Sequence, residues 1–171
     1  MNMTYNIHPL FVHFPIAFLV VYSVIKFLPV EKWITSISWR PIQRLLLVVG
    51  VLGAFVSNTT GEMAEHLVKA DHDLVEMHAF FAGASTWIYG ILLMGEILFL
   101  LNRYFVTKNI QTPINKILIS IEKIINQNIL SKTLALFGLI AISITGLLGG
   151  VIVYGVSADP IAPFVLRLLG L

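Results

Sequence analysis

His8-Pro9-Leu10-Phe11-Val12-His13-Phe14-Pro15-Ile16-Ala17 opens an apolar run that meets no charged side chain until Lys26. A run of this length spells a membrane helix, since about 20 residues at 1.5 Å each cross about 30 Å of hydrocarbon. Lipid offers an imidazole no hydrogen-bond partner, so each histidine in the run marks a candidate site. The alternative is a helix cap at His8 and an interfacial His13. Pro9 fits the first helical turn, where its missing N–H costs nothing, and starts the helix at His8. His13 then lies about 7.5 Å deeper and about 140° around the helix. Pro15 removes an N–H and presses on the Phe11 carbonyl, which predicts a bend that a neighbouring helix must accommodate.

The rest of the chain agrees with a membrane protein. Of 171 residues, 57% are hydrophobic and 12% charged, against about 25% charged in soluble domains. The absence of cysteine excludes disulfides, thiolate metal sites, iron–sulfur clusters and thioether-linked haem from ligands of this chain alone. Histidine remains as the strong metal ligand. The pI near 9.0 comes from lysines and arginines scattered between apolar segments, which is how membrane topology is written, so nucleic acid is not expected as a partner. Met1 to Asn6 carries no basic residue, so the first run is expected to stay as a helix rather than act as a signal peptide.

Four apolar segments, at about 9–29, 42–60, 78–101 and 133–155, are each long enough to span. Lys26, Lys32, Arg40 and Arg44 outweigh Glu31 between the first and second; Arg103, Lys108, Lys116, Lys123 and Lys132 outweigh Glu122 between the third and fourth. The intervening connection is acidic, with Glu62, Glu65, Asp71, Asp73 and Glu76 against Lys69. The positive-inside rule then places both basic loops in the cytoplasm, and both termini outside. The expected fold is all-α: one membrane domain over 1–171, an integral four-helix up-down bundle with periplasmic termini in the bacterial inner membrane. Trp33, Trp39 and Tyr104 suit the inner aromatic belt and Tyr5 and Tyr154 the outer; Trp87 reads as packing. Segments 113–129 and 160–171 read as amphipathic surface helices. Glu96, about 27 Å along the third helix from His78, is expected near the inner boundary beside headgroups or Arg103.

This topology sets His8, His13, His66, His72 and His78, all five histidines, at the outer end. In an up-down bundle the first and third helices are diagonal, so His13 and His78 can close on a group between them. An opposed pair suits haem b, held axially, with His8 and His66 as reserve ligands or propionate partners. The alternative is zinc or copper held by three or four of His8, His13, His66 and His78. Phe11, Phe14, Phe18, Phe80 and Phe81 would line a porphyrin. Small residues such as Gly50, Gly53, Gly83, Gly138, Gly146, Gly149 and Gly150 allow close helix packing or approach of a flat ligand. A structural anchor subunit is a third possibility.

The opening motif resembles that of a bacterial four-helix membrane family catalogued as domain of unknown function 2231. The likeness continues in Thr60-Gly61-Glu62-Met63-Ala64-Glu65, in Glu76-Met77-His78 and in Gly149-Gly150-Val151-Ile152-Val153-Tyr154-Gly155, and so covers nearly the whole chain. The resemblance implies a respiratory or periplasmic redox setting, a haem role for His8, His13 and His78, and cytochrome c or Rieske-type partners. It implies an electron-transfer or complex subunit rather than an independent enzyme. Two positions depart from the pattern: Ala79 stands where a glutamate is usual, and Val156-Ser157-Ala158-Asp159-Pro160 replaces a glycine-rich tail.

Overall fold

The computed structural model describes residues 7–65, 70–110 and 112–171. His66 and Tyr5 lie outside the described residues. Long helices α1 (His8–Phe27), α3 (Trp39–Glu65), α4 (His72–Thr107) and α6 (Asn128–Tyr154) are joined or followed by the short α2 (Val30–Trp33), α5 (Pro113–Ile125) and α7 (Ala162–Leu169). The four long helices are long and apolar enough to cross a membrane. They form an up-down ring in which α1 packs on α3, α3 on α4, α4 on α6 and α6 back on α1, leaving α1 and α4 diagonal.

Only 22% to 33% of the most apolar stretch of each long helix is buried within the protein. Burial inside the bundle therefore does not account for the hydrophobicity, and the outward faces need an apolar solvent. Phe14, Phe55, Phe80 and Trp87 are on this outer surface. Trp87, read as packing, meets the Phe55 ring edge-on at 6.3 Å on this exposed surface.

Inside, small residues admit large ones. Gly50 faces Leu19 and Gly138 faces the Tyr89 ring so closely that a Cβ would stand 2.5 Å and 2.9 Å from them. Tyr89 is fully buried. Its hydroxyl donates to Ser23 Oγ at 2.7 Å, and Ser23 in turn donates to the Ala135 carbonyl at 3.4 Å. This places a polar tie across the diagonal from α4 to α1 and on to α6, where water is absent and each hydroxyl needs a partner.

Pro15 sits inside α1, buried against Gly53. It has no N–H to offer the Phe11 carbonyl, and Ser57 of α3 supplies the donor instead, its Oγ 3.0 Å from Phe11 O. The neighbour thus compensates the proline locally, as lipid could not.

At the other end Glu96 pairs with Arg44 at 2.9 Å and Arg40 at 3.1 Å. Arg103, which with lipid headgroups was one of the two neighbours expected from sequence, lies over Phe99 instead, as does Arg40. The reason is tertiary: the start of α3 runs alongside this part of α4, bringing two arginines nearer than one on Glu96's own helix. The 36 residues of α4 extend about 54 Å, well beyond a hydrocarbon core. Its last turns are covered by α5, which doubles back along them: Asn126 donates to the Gly95 carbonyl at 3.0 Å and Asn102 to Glu122 at 3.5 Å. The surface helix expected over 113–129 is therefore one arm of an α4–α5 hairpin, though Ile114, Ile117, Ile121 and Ile124 leave it an exposed apolar ridge.

Replacing Ser57 with alanine should destabilise the protein by about 1 kcal/mol, because the Phe11 carbonyl loses its donor. In a Pro15→Ala background, where the new N–H can reach that carbonyl, the cost of Ser57→Ala should nearly vanish. Equilibrium unfolding in mixed micelles measures both; equal costs would show that the two residues are not coupled.

Candidate functional site: a histidine pair at one end of the bundle

His8 occupies the first turn of α1 and shares a face with Pro15, Leu19 and Tyr22. These positions recur at spacings of seven, four and three, within an arc of about 60° on a helix. Pro15, Leu19 and Tyr22 are buried, so this face is the one turned to the bundle interior. His13, about 140° from His8, is exposed. It makes no hydrogen bond, ion pair or ring contact among the described residues.

The ring across from His8 is His78 of α4. Their ring centroids are 6.4 Å apart with planes at 90°. The structure thus brings His8 to His78, where the sequence reading expected His13. The physical cause is the inward face set by Pro15 and Leu19, which turns His13 outward. His72, at the start of α4, is exposed.

Each ring is held by the partner helix of its own hairpin. His8 Nδ1 is 3.1 Å from Thr60 Oγ1 on α3. The Thr60 hydroxyl donates to the Ser57 carbonyl at 3.0 Å, so its lone pairs face the imidazole and Nδ1 is the donor between them. His78 Nδ1 lies 3.0 Å from the Thr145 carbonyl on α6, which can only accept. His78 is therefore assigned, from its carbonyl partner, as the Nδ1–H tautomer, and the Thr60 hydroxyl, committed to Ser57, favours the same tautomer at His8. A proton fixed on one ring nitrogen and directed to oxygen is the arrangement that orients a histidine ligand and raises its basicity.

Glycines bring the rings close to the opposite backbones. A Cβ on Gly61 would stand 3.2 Å from His8 Cε1, and one on Gly149 would stand 3.1 Å from His78 Cε1. Gly83, Gly146 and Gly150 have no atom within 4 Å of where a Cβ would stand, so α4 and α6 present bare backbone within two turns of His78. The aromatic lining expected from sequence is only partly present: Phe14 and Phe80 point outward at 62% and 63% exposure. Thr60, Ser57 and Thr145 were not singled out as supports for the histidines. The available signal was their place on the return helices, within a turn or so of Gly61 and Gly149.

Among the described residues no group of three or more histidine, aspartate or glutamate side chains converges to hold a metal ion. The donor set is a pair. Two imidazoles on opposite sides of one metal have ring centres about 6 Å apart, given metal–nitrogen bonds of about 2.0–2.1 Å; the observed 6.4 Å fits that spacing. His8 and His78 are thus the described residues that could hold a haem iron between them. No family model, curated protein or solved structure matches the chain.

Long-range proton–nitrogen NMR on histidine-labelled protein in nanodiscs should show both His8 and His78 as Nδ1–H tautomers. Gly149→Ala should shift His78 resonances and leave those of His8 nearly unchanged. An Nε2–H signal from either ring would overturn the assignment.

Proposed function

We propose that this chain is a multi-pass subunit of the bacterial inner membrane that binds haem b near the outer face and serves electron transfer, as a member of the family its opening motif resembles. The observation that carries this reading is the diagonal pair of His8 and His78, each with Nδ1 bound to an oxygen on the return helix. In this reading His8 and His78 would hold the haem iron, His8 in place of the His13 preferred from sequence. When bound, the haem would supply a one-electron iron couple. Thr60 and Thr145 bind the two Nδ1 atoms and so fix the orientation of both rings. Gly61 and Gly149 limit how far either ring can rotate. A zinc or copper site is less well supported, because a protein zinc site uses three or four side-chain ligands and the described residues offer two.

The orientation in this proposal follows from charge. Lys26, Lys32, Arg40, Arg44, Lys116 and Lys123 belong to the end away from the histidines, which the positive-inside rule assigns to the cytoplasm. Both termini and the histidine pair then face the periplasm. Because the native chain has no cysteine, single introduced cysteines report sidedness directly. In intact cells an impermeant thiol reagent should label Asp71→Cys and spare Lys116→Cys; the reverse pattern would invert the topology.

Protein purified from haem-supplied cells should show a split, low-spin spectrum on reduction. His8→Ala and His78→Ala should each abolish it, whereas His13→Ala should retain it. A colourless preparation with stoichiometric zinc or copper would favour an ion site. Intact complex assembly and activity in both alanine variants would favour a structural anchor.

A haem at one face requires a redox partner on that face, and Glu62, Glu65, Asp71, Asp73 and Glu76 provide attraction for a basic one such as a small cytochrome c. Neutralising Glu62, Glu65, Asp71 and Asp73 should slow electron exchange with such a partner and flatten its dependence on salt. Unchanged rate and salt dependence would reduce this loop to a topological signal.

A further inference from the structure

At the end of the bundle away from the histidines, the last turn of α1, the short α2 and the starts of α3 and α6 line a half-open cavity of about 490 Å3. Its wall contains Lys26, Lys32 and Lys132, with Gln43 and Glu31. Among the described residues both ion pairs belong to Glu96, which is occupied by Arg40 and Arg44. None of the three lysines has a carboxylate within ion-pair distance, Glu31 included. Lys26 is the most telling of them, being partly buried in the last turn of a membrane-spanning helix. No carboxylate pairs with it directly: Glu31 and Glu96, the latter engaged by two arginines, act on it only at a distance, so the three lysines outweigh the one carboxylate in the wall.

The rest of the wall answers the question of which anion. Asn128, the first residue of α6, also lines the cavity, and that helix start has neither a side-chain cap from Gln127 nor an acidic residue in its first turn. Its unpaired N–H groups add to the lysines as anion donors. Phe27 and Leu28 form an apolar, exposed rim beside them. A polar, cationic cavity with an apolar lip, at the level where a spanning helix ends, is matched to a phosphate group carrying acyl chains. The volume falls within the range of small-ligand pockets, about 300–1,000 Å3.

We propose that this cavity is a phosphate-binding site for an acidic phospholipid headgroup, held by Lys26 and Lys132 with Lys32 at its mouth. The site is independent of the histidine pair and of any haem bound there.

The test uses the full chain delipidated in neutral detergent and then exposed to dioleoylphosphatidylglycerol, dioleoylphosphatidylcholine or inorganic phosphate, with bound mass read by native mass spectrometry. The wild type should retain phosphatidylglycerol over phosphatidylcholine. Lys26→Gln/Lys132→Gln should weaken that retention by about tenfold or more, two lysines near a phosphate being removed. Lys116→Gln/Lys123→Gln removes equal charge from α5 outside the cavity and should leave retention unchanged. Circular dichroism and gel filtration confirm that each variant is folded, and Lys32→Gln serves as a milder variant if the double one is not. Inorganic phosphate that binds at the same lysines and displaces phosphatidylglycerol would assign the site to free phosphate; phosphatidylglycerol retained against phosphate assigns it to lipid. Equal retention of the two lipids, or equal phosphatidylglycerol binding by wild type and Lys26→Gln/Lys132→Gln, would overturn the proposal.

Discussion

A single orphaned carbonyl organises the histidine end of this bundle. Pro15 deprives Phe11 O of its helical donor, and in hydrocarbon no water can replace it. Ser57 does so from α3. Ser57 is then fixed in place, its own carbonyl accepts from Thr60, and Thr60 accepts from His8. One missing N–H thus runs through two hydroxyls to the orientation of an imidazole. Gly53 lets Pro15 approach α3, and Gly61, two turns further on, lets His8 do the same.

The second hairpin reaches a similar end by different chemistry. His78 also sits on the first helix of its hairpin, also against a glycine of the return helix, and also gives its Nδ1 proton to oxygen. Here the acceptor is the Thr145 backbone carbonyl rather than a hydroxyl. Thr145 directs its own hydroxyl to the Ala141 carbonyl at 2.9 Å, as threonines in helices commonly do. Two hairpins of negligible sequence identity therefore present a matched pair of rings across the diagonal. What they share is a plan, in which a small residue admits a ring and an oxygen holds it.

The two ends of the bundle contrast in kind. At one end neutral imidazoles are held by neutral oxygens; at the other, Glu96 is clasped by two arginines while three lysines surround an open cavity. Between them the only cross-diagonal polar link among the described hydrogen bonds that joins α1 to α4 is Ser23 to Tyr89. A second polar link in this middle joins neighbouring helices, Asn58 of α3 donating to Thr86 of α4 at 3.1 Å. The histidine pair and the lysine cluster lie at opposite ends of one scaffold.

Most of the architecture was legible in the residues themselves. Four apolar segments, basic connections alternating with an acidic one, and prolines at Pro9 and Pro15 determine an up-down helical bundle, because lipid tolerates little else. The helix ends differed by a few residues from the apolar limits, since α4 continues in polar sequence once α5 covers it. Which histidines meet was decided by tertiary structure. The inward face of α1 depends on Pro15 and Leu19 docking on Gly53 and Gly50, and depth alone could not distinguish His8 from a histidine one turn lower. Phe14 and Phe80 turned outward for a related reason: in a membrane protein, apolar residues are favoured on both faces of a helix, so hydrophobicity does not say which face is the core. The polar residues Ser57, Thr60 and Ser23 do say so, because each must find its partner inside the protein.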